Sequence, residues 1–113
     1  GPTLAQIEEW KTQYGETAVF VTSLTPDYHV VWRTLTRFEY RRLVKNIEQA
    51  VASGTISQSE ANLNNEEAIT ELCSLFPLFT RQSGQGIMAG LPSVISQEVM
   101  EASGFVAQEV RQL

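Results

Sequence analysis

One cysteine, one histidine and one aspartate are all this chain has of three residue types that carry much of protein chemistry. A single cysteine, Cys73, excludes an intrachain disulfide and fits a reducing compartment. With only His29 beside it, no Cys/His zinc quartet and no two-histidine facial triad can be assembled, and no cofactor is expected. No apolar run approaches the ~20 residues that cross a bilayer, and no charged-apolar-small leader opens the sequence. Basic residues are scarce too. Eight Lys and Arg against thirteen Asp and Glu leave a net charge of −5 and a pI of about 4.8. An acidic chain is repelled by phosphates, so nucleic acid is a poor default partner. Internal repeats and low-complexity tracts are also missing.

What is present is a sound globular composition. Hydrophobic residues make up 42% of 113 positions, enough for one domain with a modest core. The leading Gly1-Pro2 reads as the scar of tag removal and stays outside the fold reasoning, leaving a single domain over residues 3–113. The expected class is α+β, mainly helical, with one β-hairpin following the N-terminal helix and three or four helices after it.

The first helix is predicted over Leu4–Tyr14, with Thr3 and Gln6 at capping-box spacing and Gly15 as a left-handed stop. Thr17–Leu24 and Tyr28–Thr34 are rich in Val, Thr and aromatics and flank Thr25-Pro26-Asp27, which is turn chemistry. Ala18, Phe20, Thr22 and Leu24 share one face of the first strand, and Tyr28, Val30 and Trp32 one face of the second. A lone hairpin is marginal in water, so it needs helices upon it or strands from a second copy, and its open edges could build a homo-oligomer.

The second helix opens with a Thr36/Glu39 capping box and carries Tyr40, Leu43, Val44, Ile47 and Val51 on one face. Gly54 ends it, with Ile56 folding back on Ala50. A second box at Ser57/Glu60 leads into polar residues 58–65, which read as a short helix or a linker. Asn64 or Asn65 then caps a helix marked by Ile69, Leu72, Cys73 and Phe76, which Pro77 ends. Pro92 opens a last helix with Ile95, Val99 and Ala102 on its stripe, and Gly104 stops it with Phe105 clasping Met100.

Catalytic patterns are thin. Cys73 lies on an apolar stripe, where cysteine acts as a small hydrophobe, and His29 sits by a turn. Glu66, Glu67 and Glu71 read as an acidic first turn facing the helix dipole. Ser83-Gly84-Gln85-Gly86 lacks both the Lys-Ser/Thr ending and the preceding strand of a phosphate loop.

Two features suit partner binding better. Five of the eight cations, Arg33, Arg37, Arg41, Arg42 and Lys45, fall within thirteen residues. Arg37, Arg41 and Lys45 form a positive ridge, read as lying opposite the apolar stripe, for an acidic partner segment. The other feature is Phe76, Leu78, Phe79, Ile87, Met88 and Leu91, large apolar groups in and around a glycine-rich polar stretch. They are expected to form an exposed contact patch.

Val31-Trp32-Arg33-Thr34-Leu35-Thr36-Arg37-Phe38-Glu39-Tyr40 resembles a segment of the tail and baseplate assembly chaperones of tailed bacteriophages. Ile7–Lys11 with Tyr14-Gly15, Leu72–Pro77, and Gly90–Pro92 with Glu98–Phe105 follow the resemblance in order. It implies a non-enzymatic protein of the host cytoplasm that keeps a phage tail protein soluble, such as the tape measure or a baseplate component, until virion assembly. The alternative it leaves open is a structural adaptor retained in the tail or baseplate.

Overall fold

Pro26 and Asp27 turn two apolar runs back on each other, and the hairpin they form organises the fold. A computed structural model describes residues 1–113. Strand β1 (Val19–Thr25) pairs antiparallel with β2 (Tyr28–Arg33), in register from Val19 opposite Arg33 to Ser23 opposite His29, with a bulge between Ser23 and Thr25. Helix α1 (Leu4–Tyr14) precedes the hairpin, and α2 (Arg37–Ala52) and α3 (Ala61–Cys73) follow. A short strand β3 (Ser74–Phe76) and α4 (Leu91–Met100) complete the regular elements. The protein is an α+β domain of four helices on a three-stranded antiparallel sheet ordered β1-β2-β3.

Local chemistry sets most boundaries. Thr3 Oγ1 accepts from the Gln6 N–H, and Thr36 and Glu39 complete a reciprocal capping box. At the end of α2, Thr55 and Ile56 both donate to the Ala50 carbonyl around Gly54, whose φ of 77° suits only glycine well. Gly15 departs from expectation. Its φ of 129° comes with ψ of 143°, so it swings the chain from helix towards strand instead of curling it into a left-handed cap.

Three other expectations are corrected. The expected Ser57/Glu60 box starts a 3-10 turn that runs straight into α3, so Asn64 and Asn65 lie inside that helix and cap nothing, and Glu66, Glu67 and Glu71 fall beyond its first turn, away from the helix N-terminus. Phe76 is not on a helix stripe. The chain leaves α3 after Cys73, and Ser74–Phe76 pairs with the free side of β2, supplying the third strand from within the same chain. Gly104 (φ 91°) turns the chain after α4 as expected, and Phe105 beyond it reaches the Tyr40 ring, with centroids 4.7 Å apart.

The core lies on one face of the sheet. Val30 and Trp32 meet Leu35, Ile69, Cys73, Phe79, Leu91, Ile95 and Val99. Phe20 stacks on Trp32 at 4.8 Å, and the Trp32 indole N–H donates to Thr22 Oγ1. On the other face, Val31 and Arg33 are buried, and Tyr14 of α1 meets the Arg33 guanidinium. Only 14 residues are buried in all. The chain is flat, 49 × 44 × 25 Å, with a radius of gyration of 15.4 Å against about 13 Å for a compact domain of this length. Its accessible surface of 7889 Å² exceeds the roughly 6,200 Å² of a typical monomer of this mass. The surplus sits on α1 and α2, neither of which has a buried residue, and on the extended tail from Val106.

The loop after β3 is fastened by close packing. A Cβ at Gly84 would lie 2.3 Å from Cε2 of the buried Phe79 ring, so only glycine fits there. Gly84→Ala is expected to displace that ring and to destabilise the fold by about 1–3 kcal/mol, measured by urea unfolding.

Candidate interaction surfaces

Arg33, the first cation of the basic cluster, is not on the surface. It is buried at the end of β2, where Nη1 donates to Glu39 Oε1 at 2.6 Å and to the Thr34 carbonyl, while the guanidinium lies 4.8 Å from the Tyr14 ring centroid. Burial works against both charges, yet the bond between them prevails. The Arg33 pKa is raised, and the Glu39 carboxyl, also held by Thr36, is lowered. Arg33 therefore acts as a structural residue.

The remaining cations are different. Arg37, Arg41, Arg42 and Lys45 are exposed, and none has a carboxylate within 4.0 Å. The ion pairs of the chain belong to Lys11, Arg33, Arg81 and Arg111. The ridge does not stand opposite the apolar stripe. At 100° per residue Arg37 and Arg41 fall about 60° from Tyr40 and Val44, so cations flank apolar groups. Arg37 accordingly lies 5.4 Å from the Tyr40 ring centroid, and Arg42 lies 6.0 Å from that of Phe38. Arg37, Tyr40, Arg41, Val44, Lys45 and Glu48 line an open groove of about 250 Å³.

The apolar cluster is split by the structure. Phe79 and Leu91 are in the core, a correction to their expected place on a contact patch. Burial wins because the loop folds back over Val30, where these side chains close the end of the core. Ile87 packs against them in part. Leu78 remains 79% exposed, with Phe76 and Met88 at 40% and 38%. Of these three only Leu78 joins Tyr28, Val30, Pro77, Phe79 and Ile87 in lining an apolar hollow of about 210 Å³, with Ser74 also on its wall. That volume suits one large side chain, well short of a cofactor pocket. The hollow shares no residue with the α2 groove. It touches β2 at Tyr28 and Val30, the nearer of which is about 10 Å along the strand from Arg33. Ridge and patch are thus two surfaces, not one.

The remaining reactive groups are placed plainly. Cys73 is fully buried, and burial pushes its thiol up to about 12. His29 Nδ1 and Ser23 Oγ are 2.6 Å apart across the exposed hairpin. Glu71 meets Arg81, which also holds Asn64 and so ties the loop to α3. Sequence reasoning missed the hollow because its wall joins β2 to β3 and the loop that follows it, some fifty residues on. Comparison with protein-family models, with curated proteins and with solved structures gave no match to this chain.

Two outcomes check this division. Glu39→Gln, which keeps the cap but removes the charge facing Arg33, should cost about 1–3 kcal/mol, and Glu39→Ala about 1 more. The Glu39 contribution is whole above the ordinary carboxyl pKa of 4.5 and fades as pH falls through the lowered native value, so Glu39→Gln should flatten the acid limb of the stability curve. In the loop, Phe79→Ser should cost about 3–5 kcal/mol by urea unfolding, whereas Leu78→Ser should stay within about 0.5 kcal/mol of the parent.

Proposed function

We propose that the chain is a non-enzymatic binding protein of phage tail assembly, keeping a tail protein soluble in the host cytoplasm until it is built in. The observation that carries this reading is α2. On a chain of net charge −5, one helix bears four exposed cations without acid partners beside a half-buried apolar stripe, of which Tyr40 and Leu43 pack on the core and no residue is fully buried. Unpaired like charges on one face repel each other and gain from an incoming opposite charge. The matching partner is an acidic amphipathic helix that lays apolar side chains along Tyr40 and Val44 and carboxylates against Arg37, Arg41 and Lys45. Leu78, on the separate apolar hollow, and the part-exposed Met88 in the same loop offer a second anchor for a long partner. The segments resembling tail assembly chaperones include the junction from which α2 starts. The tape measure, a long helical tail protein, is a partner of this chemistry.

Co-expression tests the reading. The chain should hold a tail protein in the soluble fraction and co-purify with it, and purified virions should lack the chain. A chain present in virions at fixed stoichiometry would instead be a structural adaptor. No effect on any tail component would defeat both. Reversing Arg37, Arg41 and Lys45 together to Glu should weaken the complex at least about tenfold and flatten its salt dependence, with the fold unchanged by circular dichroism.

A further inference from the structure

The apolar hollow beside the loop has one polar atom in its lining that nothing in the chain answers. Ser74, the first residue of β3, is 3% exposed, and its Oγ has no hydrogen-bond partner. It stands opposite Trp32 in the sheet, which turns its side chain to the face that carries Val30, the face against which the hollow lies. Ser83, the other hydroxyl of the lining, is already spent: its Oγ accepts from Thr80 Oγ1 and donates to the Thr80 carbonyl. Buried hydroxyls are nearly always paired, and a lone one costs stability. An orphan on the wall of a hollow points to a ligand that supplies the missing bond.

The walls limit what that ligand is. Val30, Phe79 and Leu91 belong to the core and Gly84 is locked against the Phe79 ring, so the shape is set before anything binds. A cavity of about 150 Å³ admits benzene, and this one, at about 210 Å³, has room for one substituted ring. No lining residue is charged, so a charged group would be stripped of water without a counter-ion. A phenylalanine ring would leave the Ser74 hydroxyl orphaned. An indole N–H only donates and would leave the serine proton unanswered, whereas a phenol both donates and accepts.

We infer that the hollow is a socket for a tyrosine side chain of the partner protein, its ring among Val30, Phe79 and Ile87 and its hydroxyl paired with Ser74 Oγ. Tyrosine is among the residues that most often anchor an interface by filling a pocket. Leu78, 79% exposed on the same lining, covers the partner residues beside that tyrosine. The socket rests on the reading of the chain as a binding protein, and it gives the second anchor its recognition element.

N-acetyl-tyrosinamide titrated into the methyl-labelled chain at millimolar concentration should shift the Val30, Ile87 and Leu91 signals. N-acetyl-phenylalaninamide should bind at least about threefold more weakly. Ser74→Ala removes a buried orphan, so by urea unfolding the variant should be as stable as the parent or more so. Its affinity for N-acetyl-tyrosinamide should nevertheless fall about three- to tenfold, to that of the phenylalanine derivative. A serine that serves only the fold would not give that pair of results. Reversing Arg37, Arg41 and Lys45 to Glu should leave the titration unchanged, so the socket and the α2 reading fail separately. No shift at the hollow, equal affinity for the two derivatives, or binding of free p-cresol without N-acetyl-tyrosinamide would each overturn the inference. So would a Ser74→Ala variant that loses stability and keeps the preference for tyrosine.

Discussion

The bond from the Arg33 guanidinium to the Glu39 carboxylate holds together the parts of this protein that have the least core to share. Arg33 ends β2, Glu39 lies in the first turn of α2, and Tyr14 ends α1, so one buried cation is the meeting point of three elements. Its desolvation costs several kcal/mol unless a carboxylate answers it. That demand fixes where α2 starts, because Glu39 must also close the cap on Thr36. Beside it the Leu35 N–H donates to Ser103 Oγ, bringing the end of α4 to the same junction. Arg33 Nε has no partner, so the arrangement is constrained but not saturated.

A chain organised this way can leave two helices poorly buried. Helix α2 is fixed at its N-terminus by charge and cap, and at its other end by the turn at Gly54, so its stripe need not be fully covered to hold its place. The same holds for α1, set by Thr3 at one end and by Tyr14 against Arg33 at the other. The tight packing is confined to α3, α4 and one face of the sheet. Stability and exposed contact surface are carried by different parts of one small fold.

What could be read in the sequence follows from range. Capping boxes, the hairpin turn and the glycine stop of α2 depend on residues within about six positions of each other, and all were legible. Strand β3 was not, since Leu72–Phe76 carries a helical spacing and only the empty side of β2 draws Ser74–Phe76 into the sheet. This is tertiary context overriding local pattern. The start of α3 was misjudged because polar Asn64 and Asn65 resemble caps, while the box one turn earlier already did that work. At the candidate surfaces, Arg37, Arg41 and Lys45 are where their helical spacing places them. The division of Phe79 and Leu91 from Leu78 and Met88 was hidden, because composition shows that a loop is apolar but not which side chains the core takes.

Arg33 and its four neighbours show why that division matters for function. All five cations arise from one short run, yet burial and one carboxylate make the first a structural residue and leave the others without carboxylate partners. A cation at 6% exposure is fixed by its pair, whereas the exposed ones interact at little cost with whatever arrives. The apolar residues divide by the same rule: Phe79 closes the core, and Leu78, one position earlier, faces solvent. At each place a single sequence feature supplies both an internal fastening and an outward face. A surface attached so directly to the residues that hold the fold is presented in a fixed orientation, and a rigid, preorganised face loses less entropy on binding than a mobile one.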